Sequence, residues 1–108
     1  MEIVKFNDWQ KLELRVGTIE NVEEHPNADK LYVLEVNFGN EKKRLVAGLK
    51  GHYNKEELVG KKVIVFANLE PAVLRGVKSE GMVLAADDGS KISLLQPDQE
   101  VENGARIR

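Results

Sequence analysis

Apolar and polar residues alternate along the first third of the chain, and this period of two is typical of β-strands. The first alternating stretch runs from Leu12 to Val22 and loses its phase at Gly17. A glycine inside a strand pattern indicates a bulge or a sharp bend. We therefore expect a long first strand that bends near Gly17, as a strand must when a small barrel closes on itself.

Four further segments have the composition of short strands. The second strand, residues 31–38, places one set of side chains on a single face: Tyr32, Leu34, Val36 and Phe38. Residues 45–47 form the third, and continuous apolar runs at residues 63–67 and 82–86 mark the fourth and fifth. A hairpin signal at residues 87–90 follows, because aspartate and glycine favour tight turns.

Two short helices are predicted beside these strands. Asn7 or Asp8 can cap the first, and Asn54 can cap the second, which stops at Gly60. The tail, residues 96–108, is polar until it ends in an apolar alternation, so we expect it to dock onto the domain. Together the elements predict an all-β protein: a five-stranded OB-fold barrel with a short N-terminal helix, one interposed helix and a C-terminal extension.

Composition limits the class of protein. The length of 108 residues fits a single domain over residues 1–108, and 42% hydrophobic with 31% charged residues is typical of a globular chain. No apolar run approaches the roughly 20 residues of a membrane span, and the first ten residues lack a secretory signal. We therefore expect a cytoplasmic protein with no membrane partner.

The chain offers little for catalysis or metal binding. It has no cysteine, which excludes disulfides, thiolate zinc sites and cysteine nucleophiles. His25 and His52 have no neighbouring ligands, and such histidines are more often structural or simply exposed. Gly76 and Gly81 are spaced as in a phosphate-binding loop, but Met82 replaces the required lysine. We predict no metal, no cofactor and no enzymatic activity.

The polar stretch between the fourth and fifth strands is the main candidate for function. Residues 68–81 exceed the two to five residues, roughly, of a hairpin turn. Gly76 and Gly81 allow a sharp turn or the close approach of a ligand. Its polar side chains are Asn68, Glu70, Arg75, Lys78, Ser79 and Glu80. Taken alone, the stretch fits an ordinary surface loop equally well.

Charge is distributed unevenly although the net charge is only −2. Residues 30–81 carry ten basic and six acidic side chains, whereas residues 1–29 carry three basic and seven acidic ones. Phosphate affinity depends on a local patch and not on the total charge. The middle of the chain therefore permits RNA binding without requiring it.

Several separated motifs resemble one family in the same order. They are LELRVGTIENVEEHPNADKLYVLEVNFG, RLVAG, NLEPAVLRGVKSEGMVLAA and NGARIR, and together they cover about residues 8–108. The family is that of tRNA-binding domains, OB-fold modules found at the C-terminus of methionyl-tRNA synthetases, as free-standing structure-specific tRNA-binding proteins, and in animal synthetase complexes. The resemblance implies non-catalytic binding to the outside corner, or elbow, of tRNA.

The same resemblance implies which residues bind tRNA. By match to the motifs they are Asn68, Arg75, Ser79, Met82, Lys30 and Arg44, with Gly76 and Gly81 shaping the loop; Lys78 joins them on chemical grounds. Basic side chains can contact phosphates, and an arginine plane can stack on an unpaired base. Serine and asparagine can bind 2′-hydroxyl groups, and methionine can lie against a base. Without the motif, Ser79 would be a turn residue and Met82 a core residue.

Relatives of this length are typically homodimers, so the resemblance implies a dimer interface containing Phe6, Trp9 and Ile107. The partner would be a second copy, tRNA, or the catalytic chain of methionyl-tRNA synthetase, whose auxiliary beta subunit the protein would then be. A different class of function also stays open. Related small dimers are export-type chaperones that bind unfolded polypeptide, and an exposed apolar groove would favour that alternative.

Overall fold

The computed structural model describes residues 1–108 and consists mainly of short antiparallel strands. It also has two short helices: one precedes the first strand, and the other lies between the third and fourth strands. The elements in chain order are α1 Phe6–Gln10, β1 Leu14–Glu24, β2 Tyr32–Asn37, β3 Lys42–Ala47, α2 Lys55–Leu58, β4 Lys62–Phe66, β5 Ala72–Leu74, β6 Val77–Ser79, β7 Met82–Val83, β8 Ala85–Asp87 and β9 Ile92–Leu94.

A curled five-stranded sheet forms the body of the protein, in the order β3-β2-β1-β4-β7. The long β1 lies at its centre: its first half pairs with β4 and its second half with β2. This arrangement confirms the all-β, OB-like fold expected from the sequence. No helix is long and apolar enough to cross a membrane.

The irregularity in β1 lies slightly later than predicted. Gly17 stays in register opposite Val63, and the pairing with β2 shifts between Ile19 and Asn21. Gly17 instead allows close packing, because a Cβ at this position would lie 2.5 Å from Cγ1 of Val36. The glycine therefore marks a tight contact inside the barrel, and the bulge follows it.

The edge of the sheet at β3 is joined to the chain that enters β7. The backbone N–H of Val46 donates to the Ser79 hydroxyl at 2.9 Å, and the N–H of Glu80 donates to the carbonyl of Arg44 at 2.8 Å. The N–H of Arg44 in turn donates to the Glu80 carboxylate at 3.1 Å. These bonds satisfy edge groups that a sheet would otherwise leave unpaired.

Thirteen buried residues fill the barrel, and a smaller apolar cluster lies outside it. The smaller cluster is built on Leu14, Val16 and Ile64, against which Trp9 and Ile107 pack. The tail pairs with β1, since the N–H of Ile107 donates to the carbonyl of Leu14 at 2.9 Å. The tail therefore docks, as its apolar alternation predicts.

Some local predictions were wrong. Neither Asn7 nor Asp8 caps α1: the N-cap position is Lys5, which has no side-chain cap bond. The fifth strand is divided at Leu84 into β7 and β8, because β8 turns away to pair with β9. Asn54 does begin α2, and its backbone N–H donates to the Glu57 carboxylate at 2.8 Å.

Candidate functional site

The polar stretch after β4 contains a regular hairpin in place of the irregular loop expected. Strands β5 and β6 form their own two-stranded sheet, with Leu74 opposite Val77. Arg75 and Gly76 make the two-residue turn, at φ values of 52° and 89°. Two consecutive positive φ values are typical of the type I′ turns that match strand twist. The turn therefore places the exposed Arg75 at the hairpin tip.

The loop between β1 and β2 supports this tip. A ring nitrogen of His25, Nε2, lies 2.8 Å from the carbonyl oxygen of Leu74, and Nδ2 of Asn27 donates to the carbonyl of Arg75 at 3.3 Å. Lys30 lies in the same loop and is exposed. Two segments that are about fifty residues apart in sequence thus meet at the hairpin tip.

The base of the hairpin is fixed to the barrel through Ser79. This side chain is only 4% exposed, and its hydroxyl donates to the Gly81 carbonyl at 2.9 Å while accepting from the N–H of Val46. The hydroxyl therefore shapes the loop. A direct contact between Ser79 and RNA stays a prediction, and it would require the loop to open.

Asn68, which lies shortly before β5, also makes internal bonds. Its amide oxygen accepts from the N–H of Glu13, and its amide nitrogen donates to the carbonyl of Lys11, both at 2.8 Å. These bonds tie the end of β4 to the start of β1. Met82, by contrast, is 45% exposed at the start of β7 and is free to contact a ligand.

The candidate cations at the hairpin carry unneutralised charge. Arg75, Lys78, Arg44 and Lys30 are exposed, and none has a carboxylate oxygen within 4.0 Å. Arg44 and Lys78 line one surface groove between β3 and β6, together with Glu35 and Glu80. An unpaired cation can neutralise a phosphate without first breaking an ion pair, so these side chains suit an anionic ligand.

Some of the other basic residues are paired with carboxylates within the protein. Lys42 lies 2.9 Å from the carboxylate of Glu20, and Lys50 pairs with Glu24. Hydrogen bonds from these lysines lower the pKa of both Glu20 and Glu24 below the ordinary value. These pairs reduce the charge available to a ligand at β3 and β1, whereas Arg44, Arg75 and Lys78 keep theirs.

Sequence reasoning left two features of this site unassigned. It assigned Asn27 only to the break after the first strand and treated His25 as a structural or exposed residue, because neither bond to the hairpin has a local sequence signal. It also gave no role to Val73, which is 69% exposed and pairs directly with Lys78. In a β-ladder, side chains directly opposite one another share a face. Val73 and Lys78 therefore form a small mixed apolar and basic surface.

A separate apolar surface surrounds α1. Phe6 is 68% exposed and Ile3 is 93% exposed, although Trp9 beside them packs against the outer cluster. The structure therefore packs Trp9 and Ile107 on the same outer cluster, whereas Phe6, in the same helix as Trp9, is left exposed.

Comparison with known proteins identifies the family. The model of a tRNA binding domain matches residues 14–106, most of the chain. The chain is 59% identical over 108 residues to methionine–tRNA ligase from Thermococcus onnurineus and 60% identical to that from Pyrococcus horikoshii. Each match covers all of this chain but only 15% of the length of the ligase.

Solved structures agree with the family match. A MetRS-related protein from Pyrococcus horikoshii superposes with a TM-score of 0.93 at 36% identity, and all of both chains is covered. The chaperone CsaA from Bacillus anthracis gives a TM-score of 0.89 at 34% identity, covering 99% of this chain and 100% of the other. The motif resemblance is thereby confirmed, and the family that the chain matches is one of tRNA-binding modules.

Proposed function

The chain belongs to the tRNA-binding domain family, and we propose that it binds the outside corner of folded tRNA through the β5–β6 hairpin and the adjoining edge of β3. The observation that carries the proposal is the set of four exposed, unpaired cations around the hairpin: Lys30, Arg44, Arg75 and Lys78. Family membership supports tRNA as the ligand, and the charge supports phosphate contacts at this place.

The chemistry of the hairpin suits a folded RNA surface. Arg75 and Lys78 can contact phosphates, and the guanidinium plane of Arg75 can stack on an unstacked base. Val73 and Met82 are exposed nearby in sequence and offer apolar contacts to a base face or a ribose. Such a set reads shape and charge, so it fits binding at the corner of tRNA without reading the anticodon.

Its place in protein synthesis would be to hold tRNA near a separate active site. The ligases that resemble this chain are more than six times its length, since it spans 15% of them. A tRNA-binding module attached to or associated with a catalytic chain raises the effective concentration of tRNA there. We place the protein in that auxiliary role beside a methionine–tRNA ligase.

Binding of the purified protein to folded tRNA across a salt series tests the proposal. We expect affinity to fall steeply with salt, with a log–log slope of about −0.7 to −0.9 per phosphate contact. A DNA duplex of similar charge is the matched control and should bind more weakly at every salt concentration. Equal affinity for the two would contradict recognition of tRNA, and no binding to either would overturn the proposal.

We also propose that the apolar surface around α1 is a homodimer interface. Phe6 would be covered by the partner copy, with Trp9 and Ile107 at its edge, since the exposed apolar surface is otherwise unfavourable in water. Two copies would present two hairpins, and avidity for tRNA would rise if both engage.

Analytical sedimentation measures the oligomeric state directly. We expect a dimer at micromolar concentration for the natural protein and a monomer for Phe6→Asp, because a carboxylate would be buried at the interface. Val59→Asp is the matched control, since Val59 is 52% exposed just after α2 and belongs neither to α1 nor to the outer cluster. If the natural protein were a monomer at every concentration, the proposed homodimer would be wrong.

A second function is supported by exposed apolar residues on the hairpin and by likeness to the chaperone. Leu74 is 39% exposed and Val73 is 69% exposed, so an unfolded polypeptide could bind the same surface. Competition separates the two functions: an unfolded polypeptide that displaces tRNA at comparable concentration would favour the chaperone, and failure to displace it would favour tRNA binding.

A further inference from the structure

The β5–β6 hairpin needs support from outside itself. Each of its strands has only three residues, and the two pair only with each other in a sheet of their own. Isolated two-stranded hairpins are marginally stable in water. Arg75 also adopts a φ of 52°, a region that non-glycine residues visit at some energetic cost. Some other contact must hold the tip in this conformation.

The β1–β2 loop provides that contact at two consecutive carbonyl groups. His25 bonds to the carbonyl of Leu74 at 2.8 Å, and the side-chain amide of Asn27 bonds to the carbonyl of Arg75 at 3.3 Å. Both bonds reach backbone atoms of the turn and not its side chains. They therefore fix the direction of the turn and leave the guanidinium of Arg75 exposed.

The bonding of the imidazole also fixes its own orientation. Nδ1 of His25 accepts from the backbone N–H of Asn27 at 2.9 Å, so this nitrogen carries no proton. The proton of the neutral ring is then on Nε2, which donates it to the carbonyl of Leu74. The ring is only 6% exposed and uses both nitrogens, so it acts as a rigid brace between loop and hairpin.

We propose that His25 and Asn27 are positioning residues for tRNA binding. They hold the Leu74–Arg75 backbone, so that Arg75 is already ordered when it contacts the RNA. This inference rests on the proposed function and adds residues that do not themselves touch RNA. A side chain held in its bound conformation loses less conformational entropy on binding, and the affinity rises accordingly.

The free protein provides the first test, which requires no RNA. Backbone relaxation of residues 73–77, measured by NMR, should show greater motion in His25→Ala than in the natural protein. Asn27→Ala, at an exposed position, should show a smaller increase, and His25→Gln should restore part of the order, because its amide can donate to Leu74. His52→Ala, at an exposed turn, is the matched control. Unchanged motion in folded His25→Ala would overturn the brace.

A double-mutant cycle with folded tRNA tests the consequence. His25→Ala should weaken binding about five- to tenfold, the size of a lost hydrogen bond, and His25→Gln should recover part of it. In an Arg75→Ala background the same change should cost less than twofold, because the residue to be positioned is absent. Equal losses in both backgrounds would overturn a role through Arg75. Absence of tRNA binding by the natural protein would instead overturn the proposed function, while the relaxation result on the brace would still stand.

Discussion

Arg75→Ala is expected to lower the affinity for folded tRNA by about ten- to a hundredfold, the range for a hydrogen bond to a charged group. Arg75 is exposed at the hairpin tip and has no carboxylate partner, so its charge is available to a phosphate. The log–log salt slope should decrease in magnitude by about one, because one phosphate contact is removed. Titration of labelled tRNA at four or more salt concentrations measures both quantities.

Two variants separate charge from geometry in this experiment. Arg75→Lys keeps the charge and should preserve the salt slope, while it loses the planar, bidentate contact and part of the affinity. Lys91→Ala removes an exposed cation from the β8–β9 turn and should leave both quantities nearly unchanged. If Lys91→Ala matched Arg75→Ala, binding would follow overall charge and the hairpin would not be the site.

The strands of the barrel could be predicted because their signals are local. Alternation along β1 and β2 and the apolar runs in β4 and β7 follow from which faces are buried. Asn54 and Gly60 likewise bound α2 through their own backbone preferences. The predicted N-cap at Asn7 or Asp8 was wrong, since the helix begins earlier. A polar residue caps a helix only when the chain enters the helix in the required direction, and packing sets that direction.

The candidate site was only partly predictable, because its support comes from distant residues. Arg75 and Lys78 could be found from the motif and their charge, and the structure leaves both exposed. The hydrogen bond from His25 to the carbonyl of Leu74 joins residues 49 positions apart, and no local sequence pattern predicts such a bond. The burial of Ser79 has the same origin, since its partner Val46 belongs to another strand.

The hairpin turn shows how a local signal can be present and still be missed. Arginine followed by glycine is not the usual asparagine–glycine pair of a type I′ turn, and arginine adopts positive φ only at a cost. The bonds from the β1–β2 loop offset that cost here. Residues that break a local rule are often explained by function, and Arg75 fits that expectation.

Gly81→Ala is expected to destabilise the protein by about 2 kcal/mol, within the usual range for overpacking. A Cβ at this position would lie 2.8 Å from the Phe66 carbonyl oxygen and 3.2 Å from Cδ2 of Leu45. The first neighbour is backbone of β4, which cannot move without disturbing the sheet. Urea unfolding followed by circular dichroism measures the change as a lower midpoint at an unchanged slope.

Gly48→Ala is the matched control, because the nearest atom to a Cβ there is Cδ2 of Leu31 at 3.9 Å. Its unfolding midpoint should stay within experimental error or rise slightly. Gly81→Ala should also weaken tRNA binding, because the Gly81 carbonyl accepts the hydrogen bond from Ser79 that fixes the hairpin base. A Gly81→Ala protein as stable as the natural one would contradict the packing described here. A Gly81→Ala protein that lost stability but bound tRNA normally would show that the position of the hairpin does not depend on packing at Gly81. The β1–β2 loop would then be sufficient to position the hairpin.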